Sequence, residues 1–387
     1  MGAGTRRILN RLLSRTAGPL HRLLVPRLAP KGYSPGPRSL LIQLTYTCNL
    51  RCWFCGQWGV TGLYRGLPGS ELQRILPLDL LQRLIDELPS FCTWIYLWGG
   101  ETLQYPDIIP LVRYIRQAGK AYGLVTNGTL LSQHAAGLVE AAPDLVQVSV
   151  DADEETHDRM RGARGAYRAA MEGIRAIRAE RDARQKPLGS PKPVIEINCT
   201  LFAEAAAALA ALIREARAAG ADRVLISKPM LITERMGQAY TEIFRRLFDI
   251  TPTWWKGYPQ PEAAQRAAAA VSAVIQQIQS DPSNRGFVSF QNEWNGWGPA
   301  DFFHYYSDPS YVAPATQRCR FPWDGACVYP NGDVSPCPDF PDYIVGNLYE
   351  ASFPQIWAGK RSREFRTALA AAGRFPICST CCQLYAR

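Results

Sequence analysis

The sequence predicts an α/β protein: a partial (β/α)6 TIM-like barrel of parallel strands, then a small loop-rich C-terminal cysteine domain. Three observations predict it. Between Ser39 and about Met230, six short apolar runs alternate with amphipathic stretches, the pattern of strands joined by crossover helices. Six of the eleven cysteines fall after residue 305, in a loop-rich tail. A chain of 387 residues also exceeds one hydrophobic core, so a barrel-sized unit plus a smaller one fits the length.

Leu40–Thr45 reads as the first strand, and Leu78–Leu88 as an amphipathic helix with Asp79 in its first turn. Trp94–Trp98 is a strand and Ile108–Ala118 a helix. Tyr122–Val125 and Leu145–Val150 are strands, followed by helices Ser132–Ala142 and Tyr167–Arg181 respectively. After a Pro- and Gly-containing loop (Lys186–Pro193) come strand Val194–Leu201, helix Glu204–Ala219 and strand Arg223–Ser227. In barrels of this kind the chemistry sits at the C-terminal ends of the strands. Residues 236–305 break the alternation, with an Ala-rich helix (Pro261–Ile278) between aromatic clusters that include Trp254, Trp255, Tyr258, Trp294 and Trp297. The expected division is an N-terminal extension over 1–38, the barrel over 39–235, an insertion or cap over 236–305 and a cysteine domain over 306–387.

Apolar residues make up 47% of the chain, enough for a sizeable core, yet no apolar run is long enough to span a bilayer. The net charge of +9 is concentrated at the start: the first 70 residues carry nine Arg, one Lys and no acid, and the remaining 317 sum to −1. A basic catalytic body, and with it nucleic-acid binding, is not expected. Residues 5–16 read as a helix with Ile8, Leu9, Leu12 and Leu13 on one face and Arg7, Arg11 and Arg15 opposite. Two partners for that helix stay open: the main domain, or the surface of an anionic membrane. The leader lacks an uninterrupted apolar core and a small-residue cleavage site. The expected location is cytoplasmic, with membrane association through this helix as an extension of that reading. Thiols there stay reduced, so spaced cysteines read as metal ligands.

Cys48-Asn-Leu-Arg-Cys52-Trp-Phe-Cys55 follows the first strand directly. Three thiolates from one loop hold three corners of a cubane cluster. No fourth cysteine lies nearby, so one iron stays open, and an open metal position is where a cosubstrate binds. A three-cysteine loop cannot close a zinc tetrahedron. The loop resembles the CxxxCxxC motif of the radical S-adenosylmethionine (SAM) superfamily, with the aromatic Phe54 before the third cysteine. Further resemblances follow in order: Gly99-Gly100-Glu101 after the second strand, Thr126-Asn127-Gly128 after the third, and Ser149-Val150-Asp151 after the fourth. His157-Asp158-Arg159-Met160-Arg161-Gly162 comes soon afterwards.

The resemblance implies a [4Fe–4S] cluster at Cys48, Cys52 and Cys55. It implies S-adenosylmethionine bound through Phe54, Gly99, Gly100, Glu101, Thr126, Asn127, Ser149, Asp151 and Asn198, with Glu101 on the methionine amino group. It also implies cleavage of that cosubstrate to a 5′-deoxyadenosyl radical that takes a hydrogen atom from substrate.

The second cysteine set is Cys319, Cys337, Cys378 and Cys381, with Gly332 between the first two. Tyr329-Pro330-Asn331-Gly332-Asp333 reads as a hairpin tip. The set resembles the C-terminal SPASM/twitch domains of the same superfamily, as do Gly346-Asn347-Leu348 and Ile356-Trp357. That resemblance implies a second, auxiliary [4Fe–4S] cluster with all four corners filled, acting as electron carrier or staple. A zinc ribbon on the same four cysteines is the alternative. Cys92, Cys199, Cys327 and Cys382 are left over; of these, Cys327 resembles the free cysteine that donates hydrogen in some related epimerases.

The expected reaction is hydrogen abstraction from a small or lipid-linked organic molecule, ending in oxidation, dehydrogenation or epimerisation. Lys228, Glu196 and Asp151 are candidate proton-transfer groups, since a dehydrogenation needs a base. Peptide maturation is the alternative within the family, although the 38 residues before the first strand are short for a leader-gripping domain. An electron donor such as flavodoxin or ferredoxin is the implied partner. Two rivals of other classes are a two-cluster electron-transfer protein, against which the Gly-Gly-Glu and Ser-x-Asp elements argue, and a zinc-stapled interaction protein, which metal analysis of anaerobically purified protein would distinguish.

Overall fold

The computed structural model describes residues 32–184, 192–258, 262–291, 299–308, 310–312 and 319–381. The expected basic helix over 5–16, Trp294, Trp297 and Cys382 lie outside the described residues. The strands are β1 (Ser39–Gln43), β2 (Trp94–Trp98), β3 (Ala121–Thr126), β4 (Leu145–Ser149), β5 (Val194–Thr200), β6 (Arg223–Ser227), β7 (Val288–Phe290), β8 (Gly325–Val328), β9 (Asp333–Ser335) and β10 (Gly346–Asn347). They form one sheet in the order β10-β9-β8-β1-β2-β3-β4-β5-β6-β7. All six expected parallel strands are present. The sheet continues at both edges, with β7 parallel to β6 and β8 parallel to β1. The β9 and β10 pairings are antiparallel.

Period-two alternation in the strands separates two chemistries. One face carries Leu40, Ile42, Ile95, Leu97, Leu124, Val146, Val148, Ile195 and Ile197, all fully buried. The other, inner face of the curved sheet carries Gln43, Tyr96, Gln147 and Glu196 in matching register. The Tyr96 hydroxyl donates to Gln147 at 2.7 Å, and Gln147 donates to Glu196 at 2.5 Å. These pairings let a polar row stay inside the barrel, because each buried polar group meets a partner. The crossover helices cover the apolar face. Helix Leu78–Glu87 buries Leu80, Leu81, Leu84 and Ile85; that stripe follows the helical repeat, and each such side chain contributes about 1.5–3 kcal/mol relative to exposure.

The largest departures from expectation lie after residue 230. Helix Glu234–Phe248 runs across the expected boundary at 235/236, and helix Pro299–Ser307 across that at 305/306. The 236–305 segment is not only an insertion, since it supplies β7. Among its described residues, Phe244 acts as packing. Phe244 stacks on Phe340 at 5.4 Å and meets Phe375 edge-on at 5.1 Å, fastening the helix to the C-terminal domain. The Tyr306 hydroxyl donates to the Leu201 carbonyl at 2.6 Å. The C-terminal domain also carries helices Phe353–Ala358 and Lys360–Ala372 between its cysteine pairs. Among the described residues no helix is long and apolar enough to cross a membrane.

Candidate active site

The three cysteines of the first loop meet in one cavity of about 200 Å³, shared with Gly99, Gly100, Glu101, Thr126, Asn127, Ser149 and Arg161. Backbone bonds hold the loop in place: Arg51 N–H donates to the Arg161 carbonyl and Trp53 N–H to the Met160 carbonyl, both at 3.1 Å. The loop therefore rests on the end of helix Glu154–Arg161. N–H groups also face the sulfurs. Leu50 N–H lies 3.4 Å from Cys48 Sγ, Trp58 N–H 3.4 Å from Cys55 Sγ, and the Arg161 guanidinium 3.8 Å from Cys52 Sγ. Such donors stabilise a thiolate rather than a thiol. Burial pulls the other way, pushing Cys48 up to about 12 and Cys52 to about 11. A bound cationic metal resolves that conflict by deprotonating the thiols outright. The donor set fits an iron–sulfur cluster.

The Gly-Gly-Glu turn clips the end of β2 onto the root of the cysteine loop. Gly100 N–H donates to the Thr45 carbonyl and Glu101 N–H to the Thr47 carbonyl, each at 2.8 Å. A Cβ on Gly100 would sit 1.9 Å from the Thr47 oxygen, so only glycine allows this approach. Glu101 is almost fully buried. Its Oε1 accepts from the Thr126 hydroxyl at 2.5 Å and Leu103 N–H at 3.0 Å, and its Oε2 from Asn127 N–H at 2.8 Å. A carboxylate offers about four acceptor positions, so room is left for one more donor. Burial raises the Glu101 pKa despite these bonds, and an ammonium at the remaining position would offset that burial. Glu101 thus ties the end of β2 to the end of β3, and Gly128 (φ +83°) turns the chain tightly over Ala170. The turn is left-handed, the conformation glycine adopts without strain.

The structure brings Phe54, Gly99, Gly100, Glu101, Thr126, Asn127 and Ser149 to this cavity. Asp151 and Asn198 are not among its lining residues. Asp151 is fully buried in an ion pair with Arg161 at 2.6 Å, and it accepts from Thr200 N–H at 3.0 Å. Asn198 accepts from the Ser227 hydroxyl at 2.6 Å. The residue that sequence reasoning passed over is Arg161. It lines the cavity, pairs with Asp151 and lies 5.2 Å over the Phe54 ring. Its signal was present in the His157–Gly162 segment, but nothing local tells which of Arg159 and Arg161 turns inward. Neighbouring His157 is pushed down to about 4 by burial and by Arg161. It is therefore neutral at pH 7, and its Nδ1 accepts from Asp151 N–H at 3.2 Å.

Cys319, Cys337, Cys378 and Cys381 line a second, apolar cavity together with Asp339. Among the described residues no three His, Cys, Asp or Glu side chains close on a single-ion site. The four cysteines share one small apolar cavity of about 10 Å³, and four thiolates are the ligand number of a closed cubane. Cys327 is not part of this group. It is fully buried in β8, in register with Leu41, and burial pushes its thiol up to about 12. Cys92 and Cys199 are core residues.

Two of the candidate proton-transfer groups lie elsewhere. Glu196 sits in the N-terminal half of β5, ion-paired with Arg223 and bonded to Gln147. It is at the wrong end of the strand for chemistry at the barrel mouth. Lys228 is buried just after β6, where its Nζ donates to the Ser379 carbonyl at 3.2 Å. It faces the second cysteine set rather than the first cavity.

Comparison with known proteins agrees with this geometry. Residues 42–182 match the family described as the radical SAM superfamily, and residues 319–382 match SPASM, described as an iron–sulfur cluster-binding domain. The chain is 37% identical over 145 residues to an AdoMet-dependent heme synthase of Methanosarcina barkeri, a match covering 37% of this chain and 39% of that protein. It thus spans about two-fifths of that relative's length. It is 25% identical over 333 residues to a PqqA peptide cyclase of Gluconobacter oxydans, covering 83% of this chain and 76% of that one. In fold it resembles Streptococcus suis SuiB bound to S-adenosylmethionine, with a TM-score of 0.57 at 14% identity over 87% of this chain and 69% of that one. These matches imply a [4Fe–4S] cluster with S-adenosylmethionine at the first site and auxiliary iron–sulfur ligation at the second. The chain thus carries a radical SAM domain over residues 42–182 and a C-terminal SPASM iron–sulfur cluster-binding domain over residues 319–382.

Proposed function

We propose that this protein cleaves S-adenosylmethionine reductively and abstracts a hydrogen atom from an organic substrate. When bound, the cluster and its cosubstrate supply the hard chemistry, a 5′-deoxyadenosyl radical. The chain supplies the rest. Cys48, Cys52 and Cys55 would hold three irons and leave the fourth open. Glu101, oriented by Thr126 and Asn127, would receive the methionine ammonium. Ser149 would meet the ribose or carboxylate, and Phe54 would wall the cavity against water. Asp151 fixes Arg161 beneath the loop, acting as a positioning residue. The single observation that supports this reading is the convergence of three thiols and the Gly-Gly-Glu, Thr-Asn and Ser149 groups on one cavity.

For the substrate we propose a small or lipid-linked molecule, oxidised, dehydrogenated or epimerised. The likeness to a heme synthase supports small-molecule chemistry. Burial keeps Cys327 protonated, the state a hydrogen-atom donor needs in an epimerisation. Peptide maturation is the second reading, favoured by the likeness to a peptide cyclase over most of the chain. A flavodoxin- or ferredoxin-like donor would supply the electron. Anaerobically reconstituted protein with S-adenosylmethionine and dithionite should form 5′-deoxyadenosine, detected by mass spectrometry. Absence of that product from protein with full iron content would overturn the proposal.

A further inference from the structure

The buried cation at the junction of barrel and C-terminal domain has no role in the chemistry above. Lys228 directly follows β6 and is only 6% exposed. An ammonium is costly to bury without charge or hydrogen-bond partners. Two surround this one. Nζ donates to the carbonyl of Ser379 at 3.2 Å, and Ser379 lies between Cys378 and Cys381 in the chain. It stands 4.6 Å from the centre of the Tyr305 ring, within cation–π range. The Tyr305 hydroxyl donates to the Pro229 carbonyl at 2.6 Å, which holds that ring in place. Asp339 lines the same cavity as the four cysteines. The cation is therefore fixed to the peptide that carries two of the four thiols, and a side-chain carboxyl two residues past the third lines their cavity.

We propose that Lys228 and Asp339 set the reduction potential of the auxiliary centre, with the lysine raising it and the aspartate lowering it. Potentials of such clusters follow the local charge and hydrogen bonding. Reduction adds one negative charge, so a nearby fixed cation favours the reduced form and a fixed anion opposes it. Lys228 thereby acts on the cluster as a positioning charge from the barrel, not as a base. The proposal rests on the reading of the second cysteine set as an iron–sulfur centre.

The test uses the full chain with Cys48→Ala, Cys52→Ala and Cys55→Ala, which leaves only the auxiliary centre to bind iron. Iron content is measured first, then the midpoint potential by paramagnetic resonance during a dithionite titration. Lys228→Met should move the midpoint to more negative values, and Lys228→Arg should hold it near the parent. Asp339→Asn should move it to more positive values, which keeps the test open if Lys228→Met loses its iron. About four irons per chain with the midpoint unmoved in both charge-removing variants overturns the role of the pair alone. A parent protein that binds zinc and no iron overturns the auxiliary centre itself, and this role with it.

Discussion

The two cysteine sites differ in what surrounds the sulfur. At the first, three thiols share a cavity of about 200 Å³ with a buried carboxylate, an arginine, three hydroxyls and two amides. At the second, four thiols line a small cavity of about 10 Å³ whose other walls are apolar apart from Asp339. The count of ligands and the polarity of the walls point the same way. A site meant to admit a zwitterionic cosubstrate needs an open corner and charged groups to replace water. A closed site needs neither, and a dry wall protects it. Ligand number and neighbouring polarity together distinguish a site open to a cosubstrate from a sealed one.

Removing one thiolate from each site gives the largest contrast. Cys52→Ala should abolish 5′-deoxyadenosine formation and remove about half of roughly eight irons. Cys378→Ala should remove the other half, and the first site should still bind S-adenosylmethionine. Iron analysis with cosubstrate binding on both variants checks this; equal loss of binding would erase the distinction drawn here.

Glycine substitutions sharpen the comparison within the first site. A Cβ on Gly100 meets the Thr47 carbonyl at 1.9 Å, whereas one on Gly99 comes no nearer than 3.1 Å to Thr45. Gly100→Ala should cost about 4 kcal/mol or more of stability, and Gly99→Ala far less. Urea denaturation of the two variants reads the difference.

Arg161→Met leaves Asp151 buried and unpaired beneath the first loop. The expected destabilisation is about 3–5 kcal/mol, visible as a lower denaturation midpoint, and restoring charge balance with Asp151→Asn should recover part of it. The smallest effect is expected for Glu101→Gln. It keeps the side-chain volume but loses the charge-assisted bond to the methionine ammonium, weakening cosubstrate binding about 10- to 100-fold. Calorimetric titration measures it, and an unchanged dissociation constant would remove Glu101 from the binding set.

Local patterns carried most of the barrel. β2 and β6 occupy the runs expected of them, Trp94–Trp98 and Arg223–Ser227, because apolar alternation is a property of adjacent residues. The cavity-lining turns were legible for the same reason: each motif is a few residues long and follows a strand. What escaped needed long-range contacts. β7 is only Val288–Phe290, too short to show a period, and is defined by its pairing with β6. Arg161 belongs to the site through Asp151 and Cys52, ten and 109 residues away in sequence. Glu196 looked suitable by charge, but which end of a strand a residue occupies decides whether it meets the barrel mouth. Lys228 lay at the right strand end, yet its neighbour Ser379 is 151 residues distant, a contact no window on the sequence displays.

The sharpest test of the open iron corner is paramagnetic resonance of the reduced first centre, isolated by Cys378→Ala and Cys381→Ala. Addition of S-adenosylmethionine should change the g-values, since the amino acid end of that molecule would ligate the vacant iron. A spectrum identical with and without it, at full iron occupancy, would contradict the account.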